Sequence, residues 1–214
     1  MELLKSRLIK IFFIFICLFF LEVGGLLAQT APTSSTLVGI IKQRLNKWNT
    51  IYYRMSIYVE GVEYEQRVYF KHPDKLKIIN FNKQNSSDKI ITLVNGAETR
   101  LVKPDGKEDI YDTGNFDIMR VNLETDPENP LTFKVKYLGE YKMTFPPKGK
   151  QTRKSWVALF TTPQGLIYKF WFDQKTGIVL MYRIYNSKDA PPFFEAVTNE
   201  LKVDKPLDVR FDNP

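Results

Sequence analysis

The sequence predicts an α+β domain in which one large, curling antiparallel sheet is covered on one face by helices. Three patterns predict it: an amphipathic helix near the N-terminus, about ten short strands with regular turn signals, and weak helical periodicity in mid-chain. Antiparallel sheets of this many strands twist, and they then curl or close. Because a helix must bury its apolar stripe against another element, we expect helices to lie across the sheet.

The first 28 residues have the layout of a secretory signal peptide. Three basic residues precede an unbroken apolar run from 11 to 21, and Ala28 supplies the small residue of a cleavage site. The run is shorter than the roughly 20 residues that a membrane-spanning helix needs, and a longer span would bury Glu22. We expect cleavage near Ala28 and export to the periplasm, leaving 29–214 as one domain; an uncleaved anchor is the alternative.

The predicted helix runs from Leu37 to Ile51, and Ser35 or Thr36 can cap it. Its apolar residues recur every three or four positions, which gives one apolar stripe. The period then changes to two, and strands 53–59 and 62–70 flank Gly61. Further strands are predicted at 75–81, 89–94, 99–103, 107–111, 131–145, 156–162, 166–173, 178–185 and 193–203, with loops at 82–88 and 146–153 and a weak helix at 116–123.

The residue types that most enzymes require are scarce. His72 is the only histidine, and Cys17, the only cysteine, lies within the leader in a run too bulky for lipoprotein processing. A histidine-based triad would depend on His72, and a zinc site normally needs several His or Cys ligands. Glu63 and Glu65 lie on the same side of a charged strand, which favours a solvated face over acid–base chemistry. We therefore expect a non-enzymatic protein with no catalytic residues, no metal and no cofactor.

The net charge of +7 is spread among interleaved acids and bases. This pattern favours a solvated outer sheet face over a nucleic-acid site. Attraction to anionic lipid headgroups or to acidic partner proteins stays open.

Five stretches, in order, carry a resemblance to a known family. They are the helix 37–51 followed directly by a strand, YFKHPDKLKI at 69–78, KIITLVNGAETRLVKP at 89–104, YKFWFDQKTGIVLMYRIY at 168–185, and the closing strand and tail from Asn199 to Pro214. Together they resemble the LolA-like periplasmic lipoprotein carriers and their superfamily, which includes LolB and the RseB N-domain. The resemblance implies a strongly curved antiparallel sheet, an incomplete β-barrel, with helices covering its open concave face.

The resemblance also implies that acyl chains of lipoproteins, or of another lipid, lie between the sheet and the helices. An inner-membrane donor complex and an outer-membrane acceptor would be the partners, and we expect a monomer that binds no nucleic acid. His72 stands where the family usually has an arginine that latches the helical lid. The latch is then weaker or pH-dependent, or Lys71 replaces it, or His72 is a plain turn residue.

The predicted lipid-binding side chains are apolar residues at alternate strand positions. They are Met55, Ile57, Val59, Val68, Phe70, Leu76, Ile78, Leu93, Leu101, Leu159, Phe170, Phe172 and Leu180. The first hypothesis is a soluble carrier that delivers lipoproteins toward the outer membrane. A sensor of envelope lipids that regulates a signalling partner is the alternative, and a hydrolase using His72 or acidic residues ranks last.

Overall fold

The computed structural model describes residues 32–59, 61–112, 134–147 and 151–212. Contacts divide the chain into two compact units, Met1–Ala31 and Pro32–Pro214, and only the second contains described residues. The predicted leader and the predicted helix at 116–123 lie outside the described residues.

The described residues form one helix and eleven strands. They are α1 (Leu37–Leu45), β1 (Thr50–Val59), β2 (Val62–Lys71), β3 (Lys75–Asn82), β4 (Asn85–Asn95), β5 (Glu98–Val102), β6 (Glu108–Asp112), β7 (Lys134–Phe145), β8 (Gln151–Thr161), β9 (Ile167–Asp173), β10 (Val179–Tyr185) and β11 (Phe194–Val203). The large antiparallel sheet, which is not closed, confirms the predicted fold class. The described residues contain one helix, α1, so the predicted cover of several helices stays a prediction.

All eleven strands belong to one antiparallel sheet in the order β6-β5-β4-β3-β2-β1-β11-β10-β9-β8-β7. Two meanders, β1 to β6 and β7 to β11, are therefore joined through the pairing of the first strand with the last. The sheet stays open, because β6 and β7 are its two edges. Adjacent strands of antiparallel sheets rotate by about 20–25° on average, so a sheet of this many strands twists.

The strand register defines two faces of the sheet. Ile57 pairs with Tyr64 on β2 and with Ala196 on β11, and Ala196 pairs with Tyr182 on β10. Directly opposed residues share a face, and this face packs with α1 in the main hydrophobic core. We call it the helix face. The other, which includes Arg54, is the opposite face.

The helix is shorter than predicted. It ends at Leu45, and β1 starts at Thr50, so Ile51 is a buried strand residue and not the last residue of the helical stripe. The apolar spacing continues past the helix because Trp48 and Ile51 also belong to the core. Spacing alone could not separate the helix end from the strand start.

Two predicted loops are partly strand. The polar segment 82–88 contains the end of β3 and the start of β4, separated only by Lys83 and Gln84. The basic segment 146–153 contains the first residues of β8. Cross-strand pairing overrides weak local preference in both places.

A second, smaller cluster lies on the opposite face. It contains Ile91, Leu93 and Val102, with Ile79 against it. The carboxy-terminal tail runs over this region, because Lys77 donates to the Arg210 carbonyl at 3.3 Å and Arg100 to the Asp212 carbonyl at 3.0 Å. The Lys77 side chain is buried. Burial is the main cause that lowers its pKa, and the nearby positive charge of Lys89 lowers it further.

Candidate functional site

The apolar stripe of α1 covers the helix face near β9 and β10. Leu37, Ile41 and Leu45 are completely buried and share one core cluster with the sheet. The Trp48 indole, just after the helix, donates to the Thr176 carbonyl at 3.3 Å. The helix is thus attached to the turn between β9 and β10.

That turn brings the chain unusually close to the helix. A Cβ on Gly177 would lie 2.9 Å from the Ile41 carbonyl oxygen and 3.0 Å from the Arg44 Cβ. Its φ of +78° is also a conformation that only glycine adopts readily. Gly177, the glycine of the quoted Thr-Gly motif, therefore permits the close approach of helix and turn.

Asp173 fixes the same turn. Its Oδ2 accepts hydrogen bonds from the Thr176 hydroxyl at 2.7 Å and amide at 3.1 Å, and from Arg153 Nη1 at 3.0 Å. The Asp173 side chain is almost fully buried while Arg153 is partly exposed. The Asp and Thr-Gly of the resemblance thus stabilise the turn on which the helix docks.

One half of the helix face is filled by aromatic rings. Phe170 packs against Phe160 at 5.2 Å, Phe172 at 5.4 Å and Tyr182 at 5.3 Å between ring centroids, and Tyr182 stacks on Phe194 at 5.1 Å. Ring pairs at these separations add to apolar burial. The half formed by β8 to β11 is therefore a packed core.

Part of the helix face on β2 to β6 is less covered. Tyr64, Ile78 and Leu101 on the helix face are only half-buried, while Ile90 is 40% exposed and Tyr111 48%. Their placement follows from pairings such as Ile78 with Thr92 and Thr92 with Leu101. We call these five residues the open patch. Polar Asn80 and Thr92 lie among them.

Ten of the thirteen predicted lipid-binding residues lie on the helix face. They are Met55, Ile57, Val59, Val68, Phe70, Leu76, Ile78, Leu101, Phe170 and Phe172. Six of them, namely Met55, Val68, Phe70, Leu76, Phe170 and Phe172, are at most 3% exposed. Residues buried to this extent form the floor beneath a lipid site and offer little surface for direct contact with a lipid.

The assignment of Leu93 and Leu159 to that same face is wrong. Leu93 pairs with Lys77, and Leu159 pairs with Lys169, on the opposite face. Both strands carry apolar residues at consecutive positions, so alternation could not choose the face. Leu180 is fully buried and lies at the irregular pairing of β10 with β9.

His72 lies in the turn between β2 and β3, and its side chain is exposed. Its amide donates to the Asn49 carbonyl at 2.8 Å, and its ring lies edge-on to Phe70 with 6.4 Å between centroids. Within the described ranges, no hydrogen bond joins the His72 ring to α1. The latch role stays a prediction.

Sequence reasoning missed a polar group on this face. The Tyr137 hydroxyl on β7 is buried and has no hydrogen-bond partner in the described part of the chain. Burial raises its pKa, with a smaller contribution from Glu140. Its amide donates to Ser34 Oγ at 2.9 Å, which ties β7 to the segment before α1. The alternation along β7 could have indicated which way Tyr137 faces.

Solved structures share this fold. An uncharacterized conserved protein of Thermus thermophilus aligns over 84% of this chain and 93% of its own, at 9% identity and TM-score 0.59. MucB, in its complex with MucA from Pseudomonas aeruginosa, aligns over 81% of this chain at 11% identity and TM-score 0.53. A LolA superfamily protein of Nitrosomonas europaea also matches, over 83% of this chain and 96% of its own, at 11% identity and TM-score 0.37.

The chain shares its fold with the Thermus thermophilus protein and with the matched part of MucB. At these identities the likeness concerns the fold alone, and the chain spans only 57% of the MucB chain. No protein-family model and no curated protein sequence matches it.

Among the described residues, no group of three or more His, Cys, Asp or Glu side chains could hold a metal ion. None of their helices combines the length and the apolar character needed to cross a bilayer. The arrangement instead provides an apolar surface beside a docked helix, which suits binding.

Proposed function

We propose that this protein is a periplasmic carrier that binds the acyl chains of lipoproteins, or of another lipid, on the helix face and delivers them toward the outer membrane. The observation that carries the proposal is the division of that face into a packed half and the open patch. Exposed apolar surface beside a docked helix is typical of a binding site. The resemblance of the five sequence stretches to the LolA-like carriers supports a lipid-binding role.

Burial of hydrocarbon supplies enough free energy for such binding. Each buried methylene contributes about 0.8 kcal/mol, so a chain of about 15 methylenes contributes up to about 12 kcal/mol. Partial exposure and immobilisation reduce this value. No charged contact is required.

The delivery route follows from the export expected from the first 28 residues. Cleavage near Ala28 would release residues 29–214 as a monomeric carrier between an inner-membrane donor complex and an outer-membrane acceptor. The intact mass of protein recovered from the periplasmic fraction tests cleavage and location together. A mass that includes the leader, or recovery only with membranes, would contradict this route.

Two neighbouring variants test lipid binding. Ile90→Glu places a carboxylate on the helix face, and Lys89→Gln makes the same change of net charge on the opposite face. Both residues are exposed, so neither change disturbs the core. A carboxylate would have to lose water when an acyl chain covers it, so Ile90→Glu should weaken binding of a fluorescent acyl probe at least about tenfold. Lys89→Gln should bind as the wild type does.

Equal probe binding by both variants would remove the open patch from the proposal. Native mass spectrometry of protein purified from its periplasm identifies the cargo. Co-purifying lipoprotein or phospholipid supports the carrier, and a protein that carries no lipid after purification and takes up none contradicts it.

A sensor is the second candidate. MucB, which shares the fold, is present in a structure as a complex with MucA. Under this hypothesis the chain would report lipid or lipoprotein in the envelope to a signalling partner. Recovery of a membrane signalling protein, released on lipid addition, would favour the sensor over the carrier.

A further inference from the structure

The opposite face carries a pocket that is separate from the open patch. It has a volume of about 720 Å³ and lies over β1, β2 and β11, with Pro146 and Pro147 at the end of β7 forming one wall. Its lining also contains Arg54, Ser56, Tyr58, Glu63, Glu65, Lys83, Glu195, Val197 and Asn199. Pockets of this volume hold small molecules.

The carboxylates in this pocket are already occupied. Glu63 accepts hydrogen bonds from Lys83 Nζ at 2.5 Å and from the Tyr58 hydroxyl at 3.2 Å. The bond from Lys83 is also the main reason why the pKa of Glu63 is lowered.

Arginines outside the lining hold the other two acids. Arg67 Nε donates to Glu65 at 2.7 Å, and Arg183 Nε donates to Glu195 at 2.6 Å. A cationic ligand would have to displace these internal cations.

Arg54 is different. Its Nε is buried and has no hydrogen-bond partner in the described ranges. The nearest carboxylate oxygen, Glu200 Oε2, is 3.7 Å away, beyond hydrogen-bond distance. Glu200 is itself engaged by Lys202 at 2.7 Å. The Arg54 side chain is 40% exposed, so a ligand can reach it.

We propose that this pocket binds an oxyanion, a carboxylate or phosphate group, through the guanidinium of Arg54. A guanidinium presents its donors in a planar fork that matches the two oxygens of such a group. Because Nε itself is buried, an oxyanion in the pocket would meet the exposed part of the Arg54 side chain beyond it. Asn199 and Ser56, joined by a 2.8 Å hydrogen bond, form a neutral polar floor, and Val197 with the prolines leaves room for an apolar part.

The oxyanion can come from a free small molecule or from a lipid headgroup, and three probes distinguish these sources. Titration calorimetry measures citrate and inorganic phosphate, and co-sedimentation measures phosphatidylcholine vesicles containing phosphatidylglycerol. We expect at least one probe to bind, and Arg54→Gln to weaken it about tenfold or more. Binding of citrate or phosphate indicates a free ligand, and binding of the vesicles alone indicates a headgroup.

Arg210→Gln is the matched control, because it removes one charge from an exposed residue outside the pocket. Equal weakening by both variants would indicate a general effect of charge and overturn the proposal, as would failure of all three probes. Protection of Arg54 from phenylglyoxal by the bound probe, followed by mass spectrometry, needs no variant and guards against misfolding of Arg54→Gln. Unchanged acyl-probe binding by Arg54→Gln would separate this site from the proposed lipid site.

Discussion

Replacing Gly177 by alanine should strain the contact between α1 and the sheet. The structure allows us to estimate the resulting loss in the free energy of unfolding. The added Cβ would lie 2.9 Å from the Ile41 carbonyl oxygen, and such overpacking costs about 1–3 kcal/mol. The φ of +78° adds about 1–2 kcal/mol for an L-residue. The free energy of unfolding should therefore fall by about 2–5 kcal/mol.

Gly106→Ala separates these two contributions. Gly106 has a φ of +80°, and a Cβ there would meet nothing within 4 Å. Both variants share the backbone strain and the effect of alanine on the unfolded chain. The difference between them, about 1–3 kcal/mol, therefore measures the close approach of helix and turn.

The assay is urea unfolding monitored by tryptophan fluorescence. Trp48 reports on this contact because its indole donates a hydrogen bond to the Thr176 carbonyl. For a domain of this size, 1 kcal/mol corresponds to about 2–4 °C in melting temperature. Gly177→Ala should thus melt about 2–12 °C below Gly106→Ala. Equal losses in the two variants would refute the close approach.

Three further substitutions test the supports of the turn, the helix and the sheet. Asp173→Asn should lower the free energy of unfolding by about 2–3 kcal/mol, because Arg153 and Thr176 lose a charged hydrogen-bond acceptor. Full additivity of this change with Arg153→Gln in a double-mutant cycle would contradict the coupling of Asp173 and Arg153. Ile41 is fully buried, so Ile41→Ala should lower the free energy of unfolding, measured in urea, by about 2–5 kcal/mol. A loss below about 1 kcal/mol would argue against a docked helix. Burial, followed by the nearby Glu200, raises the pKa of Tyr52 to about 12. The fold therefore favours the protonated phenol, so stability is complete below about pH 10 and falls from pH 10 to pH 12. Tyr52→Phe should flatten that fall, and equal slopes would exclude Tyr52 as its cause.

The local sequence pattern predicted the positions of the strands better than the face on which a residue lies or the segments that it contacts. Alternation around Gly61 located β1 and β2, because each of these strands has a clearly apolar side. It could not choose a face for Leu93 or Leu159, since their strands are apolar on both sides. The contact of Gly177 with α1 joins segments more than 130 residues apart, and no local signal reports it.

The candidate sites were predictable to different degrees. The apolar lining of the helix face follows from alternation in most strands, and ten predicted residues lie there. The pocket at Arg54 could not be predicted, because Pro146 and Pro147 follow β7, which lies five strand pairings from β1 in the sheet. No local pattern indicates a contact between segments so far apart in the sheet order.

The pairing of β1 with β11 has a consequence for biosynthesis. The middle of the sheet depends on β11, the last strand in chain order, so a growing chain holds two unconnected meanders until β11 has been made. Contacts of such long sequence separation form slowly. Completion of the sheet is therefore expected to be a late step of folding, whichever meander forms first.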